Sequence, residues 1–295
     1  MAMQLGEAAT AEVPAPRSRV LKRFLRHRLA VVGFGLILFL VLATAIGPHL
    51  IPFEPLQIDI RNRFSPPSFD NGHLLGTDPL GRDQLVRLLM AGRVSIAIGL
   101  AAMAIAAAIG VLVGATAGYF GGVLGAALMR FTDAMLCFPQ IFLLLTLAAF
   151  VLPGPVAITT IIAATAWMDV ARIVEAQTRA LRERDYCVAA RMFGAGHIHI
   201  ILRQILPNAA APIIVAATLT IARAILAEAY ISFLGYGIQP PLPSWGNMLN
   251  SAQQYLASAP WLAIFPGLAI VMAVCSFNFL GDGLRDALDV GGDRK

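Results

Sequence analysis

A chain of 295 residues that is 58% hydrophobic and only 13% charged, with a mean hydropathy of +0.74, excludes a water-soluble globule of this size. Its net charge of +5 does not call for nucleic acid, because basic residues gathered at the ends of apolar runs account for it. Cys137, Cys187 and Cys275 are odd in number and scattered, so no disulfide framework follows.

In chain order, a basic tail covers residues 1–28, and its Ala/Pro-rich first 16 residues are expected to be disordered. A hydrocarbon core about 30 Å thick needs about 20 apolar residues per helical crossing. Six runs meet that demand: Leu29–Ile51, Val94–Tyr119, Leu124–Leu152, Val156–Val174, Ala209–Phe233 and Trp261–Leu280. Lipid leaves unpaired backbone groups without partners, so the reading is an all-α membrane protein with six transmembrane helices. The first run, residues 29–51, exceeds the apolar length of a signal peptide and lacks a small-residue cleavage site, which makes it an anchor.

Residues 52–92, rich in Pro, Asp and Asn, read as an irregular segment outside the lipid. A five-span core follows over residues 93–282, with a charged inner segment at 177–207, and residues 283–295 form a second tail. Within the core, Gly110, Gly114 and Gly118 fall four apart on one helix face, a spacing that lets helices approach closely in lipid.

With the N-terminus inside, the inner segments carry 16 of the 22 Lys and Arg residues and the outer segments five, so both termini are expected in the cytoplasm. The chain's two lysines, Lys22 and Lys295, follow no Gly-rich turn, so it lacks a phosphate-cradling loop of its own. No Ser/His/Asp set converges on one pocket. His197 and His199 point in different directions on a helix, which favours an interfacial pair over a metal site. Charges inside spans are expensive and therefore suspect. Arg223 lies near mid-span and Glu228 nearer the outer end, five positions apart, so they do not share a face. Asp133 and Asp169 are expected near inner span ends.

The segment Arg182–Pro207, RERDYCVAARMFGAGHIHIILRQILP, leaves the membrane, forms a short helix and re-enters, with Pro207 expected to stop it and restart the chain as the next span. Taken alone it is either an ordinary positively charged inner loop or a docking element. Ala189, Ala190, Gly194, Leu206 and Pro207 match the "EAA" loop of the membrane subunits of ABC-type importers. The literal string at Glu7–Ala9 lacks the glycine and the Leu-Pro and is a decoy.

The likeness extends further. HLLGTDPLGRDQLVRLLMAGRVSIAIG from His73, GYFGG from Gly118, EAYISFLGYGIQPPLPSWGNML from Glu228, PWLAIFPGLAIVM and NFLGDGLRDALD resemble the "C" permease subunit of dipeptide, oligopeptide and nickel importers, over about residues 20–290. The resemblance implies a type I ABC importer permease fold in the bacterial cytoplasmic membrane. It implies a homologous second permease subunit, two ATP-binding subunits that hold ATP and Mg, and an extracytoplasmic solute-binding protein; the chain itself carries no cofactor.

By the same resemblance, Ala189, Ala190 and Gly194 sit on the helix that docks into an ATPase, with Leu206 and Pro207 closing the loop. Val188 stands where the family has glutamate, and Asp185 is its nearest replacement. Arg223 is expected either to line the translocation path or to pair with the partner permease. Glu228 is read as a structural contact at the outer gate, with the path as its other assignment. Pro241 and Trp245, in the outer loop 239–260, are candidates for docking the binding protein, the alternative being a re-entrant loop packed on the spans. Peptide is the first choice of cargo, nickel or another small solute the second. A secondary transporter, which would need intramembrane acids, or a channel, which would need no docking loop, are the alternatives of a different class.

Overall fold

All six apolar runs are helical in the computed structural model of the chain, which describes residues 16–288. The Ala/Pro-rich start, the Glu7–Ala9 string and the tail beyond Leu288 lie outside the described residues. Helix α1 (Pro16–Arg26) precedes the first span, α2 (Arg28–Leu50), which His27 caps by accepting the Ala30 N–H at Nδ1. The remaining long helices are α3 (Gln84–Phe120), α6 (Pro155–Arg182), α9 (Leu206–Phe233) and α11 (Trp261–Leu288). Each is long and apolar enough to cross a membrane.

The third run differs from a single crossing helix. It is broken into α4 (Gly122–Leu136) and α5 (Gln140–Ala149), set at 85° to each other. Pro139 is the cause: it lacks the N–H that would continue α4 and it pushes Phe138 out of helical backbone.

Helix α3 starts ten residues before its apolar run, because Asp83 accepts the Val86 N–H and caps it. At about 1.5 Å per residue its 37 residues span about 55 Å, well beyond one hydrocarbon layer. Arg93, read from sequence as loop, lies on this extension and donates to the carbonyls of Thr44 and Ala45 at the end of α2.

The glycine stripe does what its spacing predicts. A Cβ on Gly110 would lie 2.7 Å from the Val170 Cβ, on Gly114 2.4 Å from the Ala171 carbonyl, and on Gly118 2.6 Å from the Glu175 carbonyl. Helices α3 and α6 thus run backbone against backbone along their shared length. Helices α2, α9 and α11 pack around this pair.

Residues 52–83 are more ordered than loop composition suggests. A 3₁₀ turn at Ile60–Asn62 and an isolated bridge between Thr77 and Asp83 fold the segment onto the start of α3. Buried His73 pairs with Asp83 at 2.9 Å, and Asp78 pairs with Arg82 at 2.6 Å.

Candidate functional site

The segment after α6 builds a short helix, α7 (Asp185–Met192), and then a stop. Gly194 takes φ +79°, and the Ala195 N–H closes on the Ala190 carbonyl at 3.0 Å, the six-residue closure of a Schellman stop. The four-residue step from Ala190 to Gly194 is therefore the geometry of a helix end, and a left-handed backbone there suits glycine.

One face of α7 is anchored. Cys187 is fully buried and Ala190 half-buried, against Tyr119, Leu181, Ile200 and Ile205. The opposite face and the tip project outward. Asp185, Val188 and Ala189 are exposed, Met192 is 83% exposed and Phe193 91%, and a Cβ on Gly194 would meet nothing within 4 Å. Charges at Arg182, Glu183, Arg184, Asp185 and Arg191 surround that tip, so it belongs to water or headgroups. Met192 and Phe193 are large apolar side chains left bare among charges. Sequence reasoning missed Met192 and Phe193, although an apolar pair inside a charged run was a usable signal. Asp185 lies one turn before Val188 on the same face.

Several bonds join this platform to the spans. Arg182 Nη1 donates to the carbonyls of Gly118 and Tyr119 at 3.1 and 3.2 Å, satisfying free carbonyls at the end of α3. Arg191 donates to the Arg182 carbonyl. The Tyr119 hydroxyl pairs with His197 Nδ1 at 2.9 Å, and the His197 ring meets Tyr119 and Phe120 edge-on. His197 therefore packs at the junction of this platform with the end of α3.

Pro207 does not stop the segment. After the one-turn helix α8 (His197–Ile200), a π-helical turn over Ile201–Ile205 carries the chain directly into α9. The wider turn, in which the Leu206 N–H reaches back to the Ile201 carbonyl, accommodates a residue with no N–H to give. Leu206 itself packs against Val170 and Val174 of α6, while Pro207 is exposed.

A second feature lies midway along the spans. Arg223 of α9 pairs with Asp169 of α6 at 2.6 Å, so its partner is within this chain. Asp169 is at mid-helix in α6, which extends from Pro155 to Arg182. One turn further along α6, Arg172 faces Asp133 of α4 at 3.5 Å. All four side chains are about half exposed, between 48% and 62%. Gln140 and Thr220 line a small recess with Asp169 and Arg223. Charges at this depth are tolerated against water or protein and are expensive against lipid, so this seam does not face acyl chains. The seam was partly invisible in sequence because Asp169 and Arg223 meet only when α6 packs on α9.

Glu228 does not line an accessible path. It is fully buried and accepts the Ser95 and Ser232 hydroxyls at 2.8 and 2.7 Å. Both serines hold the chain after α9: Ser95 Oγ accepts the Trp245 N–H and Ser232 Oγ the Ile238 N–H. Buried carboxylates survive only when satisfied in this way, and this one fixes the 234–245 loop onto α3.

Trp245 likewise cannot meet a docking protein. It is 1% exposed at the start of α10 (Trp245–Ala252), and its Nε1 donates to the Leu88 carbonyl at 3.1 Å. Ser244 caps α10 in a reciprocal box with Asn247, and the helix packs on α9 and α11, so the loop re-enters the bundle. Pro241 stays exposed.

Among the described residues no group of three or more His, Cys, Asp or Glu side chains is disposed to hold a metal. Comparison with known proteins matches residues 110–291 to the family described as binding-protein-dependent transport system inner membrane component. Residues 16–67 match the N-terminal transmembrane domain of oligopeptide transport permease C. A Brucella suis biovar 1 protein named as a peptide permease is 39% identical over 97% of this chain and 94% of its own. A Brucella abortus protein named as a peptide transport system permease is 42% identical over 91% of this chain and 90% of its own. The di/tripeptide transport system permease protein DppC of Pseudomonas aeruginosa is 38% identical over 94% and 92%.

Proposed function

The chain belongs to the binding-protein-dependent transport system inner-membrane components, a family of multi-pass permease subunits of ABC importers that are not themselves catalytic, and from that premise we propose that it forms half of a peptide translocation path. The names of its relatives support di-, tri- or oligopeptide cargo. In this reading it pairs with a homologous permease in the bacterial cytoplasmic membrane, with both termini inside. Two ATPase subunits, which bind ATP and Mg, sit below, and an extracytoplasmic binding protein delivers cargo from above.

The observation that carries the proposal is the α7 platform: an apolar tip bare among charges, ended by Gly194 and bonded to the ends of α3 and α6. ATP-driven closure of the ATPases would push this platform, and the spans would follow between two packed states. Asp185 takes the part of the missing glutamate beside Val188. The Asp169–Arg223 pair faces the path, where a peptide's termini meet it. Glu228 and Trp245 hold the structure at the far end.

The test is a single cysteine at Met192 in the co-expressed complex. A disulfide to an engineered cysteine in the ATPase groove, together with ATP-dependent uptake of labelled dipeptide in proteoliposomes, is the expected result. Uptake without any ATPase subunit would overturn the reading in favour of a secondary transporter.

A further inference from the structure

At the end of the bundle opposite α7, the turn before α3 and the end of α10 enclose an open cleft of about 310 Å³. Asp78 holds two guanidinium groups there, Arg82 at 2.6 Å and Arg87 at 3.5 Å. Its other oxygen already accepts the N–H groups of Leu80 and Arg82. One saturated carboxylate thus serves two cations. The facing wall, from α10 and the turn after it, contributes the uncharged Asn250, Ser251 and Gln254. Among the described lining residues the balance is one positive charge in excess.

Arg87 is 7% exposed and lines this cleft, and its Nη1 is buried with no hydrogen-bond partner. A buried guanidinium N–H without an acceptor is a group that a carboxylate oxygen satisfies well, through a charge-assisted hydrogen bond. A di- or tripeptide bound at the Asp169–Arg223 seam cannot be the source of that carboxylate. Arg87 precedes Gly110, the α3 residue packed on Val170 next to Asp169 in sequence, by 23 positions, which is about 34 Å of helix. A tripeptide reaches only about 10 Å. The cleft is walled by α10 and the start of α11, and no residue of α5, α6 or α9 lines it.

We propose that this cleft is a carboxylate-binding site, occupied by an acidic side chain of the extracytoplasmic binding protein when that protein docks. The proposal rests on the reading above that such a protein delivers cargo at this end, and it moves the docking contact from Trp245 to Arg82 and Arg87. Charge complementarity of this kind sets docking register and encounter rate.

The experiment titrates the binding protein against the assembled permease–ATPase complex in nanodiscs. Gln254 is exposed and bonded to nothing that holds the fold, so Gln254→Glu supplies the cleft with its own carboxylate. The expected result is an affinity weaker by about tenfold or more, a loss clearly larger than that of Gln254→Ala, which removes the side chain without adding charge. Arg87→Lys, which keeps the charge and removes the fork, is expected to weaken docking without lowering the yield of assembled complex. Unchanged affinity in Gln254→Glu, or equal loss in Gln254→Glu and Gln254→Ala, overturns the carboxylate site. Labelled dipeptide binding to the complex without the binding protein, lost on Gln254→Glu, would make the occupant cargo and overturn the assignment to the binding protein. A wild-type complex that binds no such protein refutes the underlying reading itself and is distinguishable from a failure confined to the variants.

Discussion

Neutralising one member of the Asp169–Arg223 pair distinguishes a path-lining charge from a structural one, because the two roles differ in magnitude. Both side chains are about half exposed, 48% and 62%, at a separation of 2.6 Å. If the exposed side of the pair faces a water-filled path in the assembly, the pair contributes about 0–1 kcal/mol to stability. A sealed pair would behave otherwise, since removing one partner strands a buried charge at about 3–5 kcal/mol. Arg223→Gln is therefore expected to lower the unfolding free energy of the subunit in bicelles by about 1 kcal/mol or less. Transport should suffer more. A hydrogen bond to a charged group is worth about 1.5–3 kcal/mol, so losing Arg223 as a contact for the peptide carboxylate raises the apparent KM for uptake roughly 10- to 150-fold. The decisive variant exchanges the charges, Asp169→Arg with Arg223→Asp, which rebuilds the pair and reverses what it offers a zwitterion. Uptake restored to wild type by the exchange, or a stability loss above about 3 kcal/mol in the single variant, would refute the path-lining role.

Gly114→Ala drives a Cβ to 2.4 Å from a backbone carbonyl of α6 and should cost about 1–3 kcal/mol, seen as reduced assembled complex, whereas Gly35→Ala, with nothing within 4 Å, should be neutral or better. Gly194→Val, forced into φ +79°, should uncouple peptide uptake from ATP hydrolysis in proteoliposomes; Gly194→Asn, which tolerates that backbone, should retain more coupling if the helix stop is what matters. Tyr119→Phe removes the 2.9 Å bond to His197 and should cost about 1 kcal/mol, read as faster hydrogen exchange across residues 185–200. Burial pushes the Cys187 thiol up, against a smaller opposing effect of Arg191, so maleimide should label it slowly at neutral pH in the folded chain and faster once the segment unfolds. The folded segment then keeps a proton that the unfolded one releases above about pH 8.5, so its stability falls as pH rises beyond that point.

Long apolar runs carry their own evidence, which is why the spans could be read from sequence to within a few residues at α2, α9 and the start of α6. Where ends were misjudged, polar residues were satisfied by tertiary partners that no local pattern reveals: Arg93 by the carbonyls of α2, Asp83 by a helix start. The helix stop after α7 was legible because Ala190 and Gly194 encode a local event, a helix ending in a left-handed residue. The seam was half legible. Arg223 stood out as a mid-span charge, but Asp169 is 54 positions away and declares itself only through packing. Trp245 misled because an aromatic in a proline-rich loop is equally compatible with docking and with burial, and Ser95, which receives its N–H, lies 150 residues earlier. Pro207 misled for a local reason, since a π-helical turn lets a helix pass a proline that an α-helical turn would not.

The two ends of the molecule are joined by one element. Helix α3 begins at the Asp83 cap beside the Arg87 cleft and finishes at Tyr119 and Phe120, against His197 and the Arg182 side chain that brace α7. Between them the glycine stripe presses α3 onto α6 at backbone contact, and α6 carries Asp169 and Arg172 of the seam. Backbones packed that closely cannot slide by fractions of a turn without collision, so the α3–α6 pair moves as one body or not at all. Under the proposed function, a push on the α7 platform would reach the seam and the far cleft as displacement of a rigid pair. Any flexing is left to the breaks the sequence provides, the bend at Pro139 and the π-helical turn before Pro207. Each of those breaks sits on a helix adjoining the pair, where a hinge must be if rigid bodies are to rotate past one another.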